Sequence, residues 1–435
     1  MNIGFDGSRA FTKNRTGTEN YSYQLLKHLA EQSLRDGVDH TNNYYIYLRP
    51  DSVIACDSLS LRGVSTKSDD AAIFHGRSSR RFAPQDDEVM WPSNFKFITI
   101  PYPRLWTQVG LAKQTFKDTH LDVLFVPSHT LPLIKRPGLK TVVTVHDLGA
   151  EFLPKTHQLK QRAYLKLMTD YQLKSATHII AVSKATKEDL VKKINIDPKK
   201  IDVIYEGYDK KAFKPLKTDQ FKDTLKSYDI ESNNYFLFIG TIQPRKNLTR
   251  LIEAYSQFIM GGGKRGAPSS TRSAARMSDG AVSRQDPLIP KLVLAGGKGW
   301  LSDEIYELPK KLGIEKQVKF LGYVPDENLP ALYNGAIALL YPSLFEGFGL
   351  PILEAMACSC PVLTSNISSM PEIAGQAAIL VDPYNIEEIA QGILKLNSDL
   401  KLRNKLENMG IAQSKKFSWE KCAKETLSTL LSVGK

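Results

Sequence analysis

Cysteine is scarce: four residues (Cys56, Cys358, Cys360, Cys422) serve a chain of 435, with no two-residue spacing and none beside a histidine. That excludes a disulfide framework and argues against a zinc site, so a reducing compartment is expected. No apolar run approaches the roughly 20 residues that a membrane helix needs. The N-terminus reaches an acid at Asp6 and lacks a basic stretch followed by an apolar one, so no secretory leader is expected. These absences point to a cytoplasmic protein. No two aspartates lie two positions apart, which removes the Asp-x-Asp metal clamp, and neither a Gly-x4-Gly-Lys-[Ser/Thr] loop nor a Gly-x-Ser-x-Gly elbow occurs. Neither a metal nor a cofactor is expected. All eight histidines lie within the first 178 residues, so any imidazole chemistry belongs to the first half.

What is present is ordinary globular composition, 42% hydrophobic and 24% charged, which rules out collagen-like, coiled-coil and wholly disordered chains. The formal net charge of +12 leaves three partner classes open: nucleic acid, an anionic membrane face, and a phosphate-rich small ligand. Short β-rich runs alternate with amphipathic stretches, as in βαβ units around parallel sheets. One series of strands runs from Asn2–Asp6 to Asp202–Tyr205, and a second from Tyr235–Gly240 to Ala378–Val381. The expected class is α/β, with a first doubly wound domain over 1–215, a second over 216–415, and a C-terminal helix over 416–435 that packs back on the first. Two stretches break this rhythm, Asp57–Pro92 and Gly261–Pro287, and both read as mobile insertions. The second holds five basic and two acidic residues, a quarter of the net charge.

The most informative segment runs from Tyr341 to Val362 and contains Glu346 and Glu354, eight apart, around a Gly347-Phe348-Gly349-Leu350 turn. Glu346 falls at the carboxyl end of a strand and Glu354 one turn into the next helix, so both can face the crevice where open α/β sheets bind ligands. The backbone N–H groups from Phe348 to Pro351 suit an anion at a helix N-terminus. Arg245 and Lys246 follow a strand and open a helix, with Asn247 as its natural cap. Cations oppose the dipole there unless they share a bound phosphate with it; a solvated Arg-Lys pair is the rival reading. Arg15-Thr-Gly17-Thr18 has the position of a phosphate-binding βα turn but lacks the Gly-x-Gly-x-x-Gly pattern. His146 ends the apolar run Thr141–Val145 and is either a site residue or a core histidine with a local hydrogen bond. Cys358 and Cys360 read as small buried helix-end residues, and His178 as structural.

In order along the chain, Gly17-Thr18, Thr144-Val-His-Asp-Leu148, Ala181-Val-Ser-Lys-Ala-Thr186, Gly240-Thr-Ile-Gln-Pro-Arg-Lys-Asn247, Leu294-Ala-Gly-Gly297, Glu346-x7-Glu354 and Ser369-Met-Pro-Glu372 resemble the retaining glycosyltransferases of family 4. The resemblance implies the GT-B fold, two facing Rossmann-like domains with the active site in the cleft between them, and a metal-independent hexosyltransferase. By that likeness Arg245 and Lys246 hold the donor's diphosphate and Glu354 the nucleotide ribose. Glu346, with the backbone of Gly347, Phe348, Gly349 and Leu350, holds the donor sugar, Gly17 and Thr18 approach the diphosphate, and His146 contacts the sugar near its reacting carbon. His146 and Glu346 are thus the expected catalytic pair. The chain departs from the pattern at Thr241, where many relatives carry Arg, and at Tyr205-Glu206-Gly207, where relatives often read Pro-Asn-Gly. The wording is nearest to mannosyltransferase subgroups, which makes GDP-mannose the preferred donor and a glycan or lipid-linked acceptor the expected partner. Lys155, Lys160, Arg162 and Lys166 cluster on one helical segment and could touch anionic lipid at the inner membrane face. A sugar-nucleotide epimerase or a glycan phosphorylase on the same plan is the alternative enzyme. Nucleic acid is the least favoured partner, since basic motifs interleaved with aromatics are missing.

Overall fold

The structure is a computed structural model that describes residues 1–12, 17–35, 42–52, 72–75, 89, 91–128, 130–148, 168–261 and 289–435. The basic cluster Lys155, Lys160, Arg162 and Lys166, Cys56, and nearly all of the 261–287 stretch lie outside the described residues. The chain divides into two units, Met1–Gly207 together with Phe417–Lys435, and Tyr208–Lys416. The first division therefore falls at Gly207/Tyr208, ahead of the expected 215/216.

The first unit is built on eight strands: β1 Asn2–Asp6, β2 Asn43–Leu48, β3 Ala72–His75, β4 Phe95–Thr99, β5 Val123–Val126, β6 Lys140–Val145, β7 His178–Ala181 and β8 Ile201–Val203. Their order is β3-β4-β2-β1-β5-β6-β7-β8. All neighbours are parallel except β3 and β4. Within the Asp57–Pro92 insertion, for which the sequence offered no strand, Ala72–His75 pairs antiparallel with Lys96–Thr99 as an edge strand. Four residues of Ala-Ile-Phe-His were too short a run to stand out from their Ser- and Asp-rich surroundings. Winding outward from β1 through β2 and then reversing to β5 leaves a switch point between β1 and β5, the position at which doubly wound sheets open a crevice.

The second unit repeats the plan with β9 Tyr235–Ile239, β10 Lys291–Ala295, β11 Val318–Gly322, β12 Ala338–Tyr341, β13 Val362–Ser365 and β14 Ala378–Val381. All six are parallel in the order β11-β10-β9-β12-β13-β14, with the reversal between β9 and β12. Every residue of β9 (Tyr-Phe-Leu-Phe-Ile) and of β12 (Ala-Leu-Leu-Tyr) is buried. Such unbroken apolar runs belong to parallel strands covered on both faces. The covering helices show the complementary period. Helix Leu248–Met260 buries Leu251, Ile252, Tyr255 and Phe258, and helix Ile386–Ser398 buries Ile389, Ile393 and Leu396. Each such side chain contributes about 1.5–3 kcal/mol on leaving water.

The last helix, Trp419–Gly434, belongs to the first unit. Trp419, Cys422, Ala423, Thr426 and Leu430 line its buried stripe, Ser418 Oγ caps Lys421 N at 3.1 Å, and Thr429 donates to Asp202 Oδ2 at 2.7 Å. Its start lies directly on the end of the first chain segment: a Cβ at Gly207 would sit 2.0 Å from Trp419 N. Only glycine allows that approach.

Candidate functional site

In the second unit the predicted residues meet at the β9/β12 switch point. The loop after β9 forms a short 3-10 turn over Pro244–Lys246, and the loop after β12 carries Glu346 against it. Lys246 Nζ donates to Glu346 Oε1 at 2.6 Å and to Tyr341 Oη at 2.6 Å, while Arg245 Nη1 lies 3.3 Å from Glu346 Oε2 and donates to Phe345 O at 2.8 Å. Tyr341 Oη donates to the same Glu346 Oε1 at 3.0 Å. Both carboxylate oxygens of Glu346 are therefore engaged, and Lys246 and Glu346 are each only 7% exposed. Burial pushes the Glu346 carboxyl up, but the charges of Lys246 and Arg245 outweigh it and hold the group below the usual carboxylate range. Arg245 and Lys246 are thus both held against Glu346, which lies in the loop that leads into helix Leu350–Ala357.

The loops are tied together by backbone and buried side chains. Leu344 N donates to Arg245 O at 2.9 Å. Asn247 sits at the cap position of helix Leu248–Met260 in a left-handed conformation (φ 61°), yet its side chain makes no capping bond. Its Nδ2 donates instead to Pro342 O at 3.0 Å and Pro383 O at 2.7 Å, fastening the loops after β9, β12 and β14. Asn247 thus stands at the expected cap position, but its amide serves two loop carbonyls and not the helix. Ser368 and Ser369 donate to Glu346 O at 2.7 and 2.9 Å, and Ser369 also to Phe348 O at 2.8 Å. Those bonds set the path of Gly347 and Phe348 into Gly349, whose φ of 106° lets the chain turn into the helix beginning at Leu350. Leu350 starts that helix with Pro351 behind it, a usual N-terminal arrangement.

Glu354 does not join the Glu346 cluster. From the fifth position of its helix it accepts a 2.8 Å hydrogen bond from Tyr333 Oη, and burial pushes its carboxyl up to about 7, although the Tyr333 bond opposes the shift. A carboxylate half-ionised near neutrality is unusual away from a functional site. Cys358 and Cys360 are buried free thiols, held protonated by burial.

In the first unit His146 directly follows β6. Its Nδ1 is 3.0 Å from Glu206 Oε1 and its Nε2 3.0 Å from Pro127 O, the latter just past β5 at the switch point. Burial alone would push the imidazole down. The bond and charge of Glu206, with the Pro127 carbonyl and Asp147, outweigh it and hold His146 above the ordinary histidine value. The ring of Tyr21, from helix Gly17–Arg35, stands edge-on to His146 with centroids 4.6 Å apart. Gly17 and Thr18 open that helix; Gly17 is exposed with open space where a Cβ would go, and Thr18 O accepts from Ser22 Oγ at 2.9 Å. His178 lies 3.0 Å from Asp202 Oδ2.

Sequence reading did not single out Tyr341, Tyr333 or Ser368, and it took Ser369 only as part of a family motif. Tyr341 was visible only as the polar end of an apolar strand, and Tyr333 has no local signal, since it meets Glu354 by packing of helix Leu329–Gly335 on helix Leu350–Ala357. Among the described residues no group of three or more His, Cys, Asp or Glu side chains could hold a metal ion, and no helix is long and apolar enough to cross a membrane.

Comparison with known proteins gives a consistent picture. A family model described as "Glycosyl transferases group 1" matches residues 283–413, and one described as "Glycosyltransferase Family 4" matches residues 70–211. The O-antigen chain mannosyltransferase B of Escherichia coli is 33% identical over 367 residues, which cover 84% of this chain and 85% of that protein. The O-antigen chain mannosyltransferase RfbU of Salmonella typhimurium is 28% identical over 280 residues, 62% of this chain and 66% of its own length. Among solved structures, Anabaena HepE in complex with UDP and glucose superposes with a TM-score of 0.65 at 16% identity, covering 99% of this chain and 100% of that one.

Proposed function

The chain belongs to glycosyltransferase family 4 and is a hexosyltransferase of the GT-B fold, and from that premise we propose that it moves mannose from GDP-mannose to a growing polysaccharide or lipid-linked glycan, with retention of anomeric configuration. The observation that carries the reading is the Arg245–Lys246–Glu346 cluster at the β9/β12 switch point, in a chain that shares 33% identity over 84% of its length with a mannosyltransferase. Nothing in the comparisons supports an epimerase or a phosphorylase.

Glycosyl transfer builds negative charge on the departing diphosphate while the sugar passes through an oxocarbenium-like state. Arg245 and Lys246, held in place before the donor arrives, stabilise that charge without reorganising, and the start of helix Leu350–Ala357 adds its dipole. Glu346 keeps the two cations in register, and the buried turn Gly347 to Gly349 leads its backbone N–H groups into the helix that begins at Leu350, which meets the donor sugar. Glu354 meets the ribose hydroxyls as an acceptor when ionised. No metal is needed where two cations and a helix N-terminus oppose the diphosphate. The acceptor is taken up by the first unit.

The test is incubation with a panel of nucleotide sugars, following release of nucleoside diphosphate and the anomer of the product by NMR. Release of GDP from GDP-mannose with an α-linked product is expected. Release from another sugar nucleotide alone would replace the donor, and an inverted product would overturn retention.

A further inference from the structure

Glu206 takes no part in the roles described so far, and it stands where the resemblance leads one to expect asparagine. It is 4% exposed, at the end of the first chain segment of its unit, with its Oε1 on His146 Nδ1. The other imidazole nitrogen faces a carbonyl oxygen, that of Pro127. A carbonyl can only accept, so Nε2 carries a proton. Glu206 Oε1 stands as the acceptor 3.0 Å from Nδ1, so Nδ1 carries one as well. The ring is thus satisfied as the imidazolium and leaves no nitrogen lone pair to take a proton.

The surroundings preserve that state. Tyr21 closes one side of the ring, Asp147 lies next along the chain, and Cys422 of the last helix lies near Glu206. Tyr21 and Cys422 are both pushed by burial toward their protonated, neutral forms, so the carboxyl groups of Glu206 and Asp147 are the acidic neighbours whose charge acts on His146. The last helix starts against Gly207, the next residue, so the contact at Trp419 braces the backbone that presents Glu206.

The geometry points to Glu206 as a positioning residue that keeps His146 fixed as an imidazolium, so that His146 serves the transfer reaction as a fixed positive charge and not as a general base. This rests on the hexosyltransferase reading and sharpens it: the proton lost by the acceptor hydroxyl has to leave by a group other than His146. An asparagine at 206 could hold the ring in place but would supply no charge to keep it protonated.

The experiment is a pH titration of the full chain with ring-labelled histidine by NMR, His146 being identified by its absence in His146→Asn. In the wild type His146 is expected to titrate above the ordinary histidine value and to show both ring nitrogens protonated at neutral pH. In Glu206→Gln burial is no longer opposed by a carboxylate, so titration below 6.5 is expected. The pH profile of kcat for mannosyl transfer should fall as pH rises through the His146 value, and Glu206→Gln should move that fall to lower pH, with kcat lowered about tenfold at neutral pH and the affinity for GDP unchanged. A wild-type His146 with one unprotonated nitrogen at neutral pH, or one that titrates at or below 6.5, overturns the inference even if Glu206→Gln cannot be made. So does a rate that rises as His146 loses its proton. If no nucleotide sugar is turned over, the hexosyltransferase reading fails, while the titration still decides the role of Glu206.

Discussion

Glu346 and Glu354 sit eight residues apart and have opposite electrostatics, for a reason that spacing does not carry. Glu346 turns back onto two cations and a phenol; Glu354 accepts from the Tyr333 hydroxyl, with the Asp326 charge adding to burial in raising its carboxyl. Lys246→Ala should weaken GDP binding by about 1–3 kcal/mol, the worth of a charge-assisted contact, and should also destabilise the fold because Glu346 stays buried with one cation fewer. Calorimetry with GDP and chemical denaturation read the two effects separately, and wild-type affinity in the variant would refute the diphosphate role. The two glutamates also leave opposite signatures in stability against pH. Glu346, with its folded value below the unfolded one, contributes stability present above about pH 4.5 and lost as pH falls through its lower folded value. Glu354 has its folded value raised to about 7, so the folded state loses stability as pH rises from about 4.5 to 7 and holds steady above that. Glu354→Gln should remove that decline, which denaturant midpoints across this range would register; an unchanged slope would place the titration elsewhere. That Glu346 and Glu354 bracket a turn was legible in the sequence, whereas their unlike protonation depends on Lys246 and Tyr333, partners 100 and 21 residues away.

Helices and loops here succeed through a few contacts that admit no bulk. The alternation of apolar strands and amphipathic helices was readable because parallel strands buried on both faces need unbroken apolar runs. β3 was not, because an edge strand needs only one partner and four residues. The start of helix Trp419–Gly434 rests on Gly207, and Gly207→Ala would drive a methyl carbon to within 2.0 Å of Trp419 N. Since backbone cannot swing aside as a side chain does, the substitution should cost at least about 1–3 kcal/mol. The expected readout is a lower thermal midpoint with increased amide exchange in residues 419–434; an unchanged midpoint would mean that the helix is held by its apolar stripe alone.

The two units share one winding plan, and the last helix ties both ends of the chain to the first of them. A chain ending at Lys416 would expose the surface that Trp419, Cys422, Ala423 and Leu430 cover, and would lose the Thr429–Asp202 bond. Such a truncation should unfold the first unit at lower denaturant while leaving the second, closed by residues 208–416, near its wild-type midpoint; a single unshifted transition would contradict this. The ordered motifs, the two sheets and the family resemblance could be read from the linear chain, since local periodicity and turn chemistry act over a few residues. Which groups pair with which could not. The seating of Glu346 between Arg245 and Lys246, the elevation of Glu354 and the clasp of Glu206 on His146 arise only when loops from strands distant in sequence converge at the carboxyl ends of the sheets. There burial strengthens each charge contact and makes an unpaired charge costly.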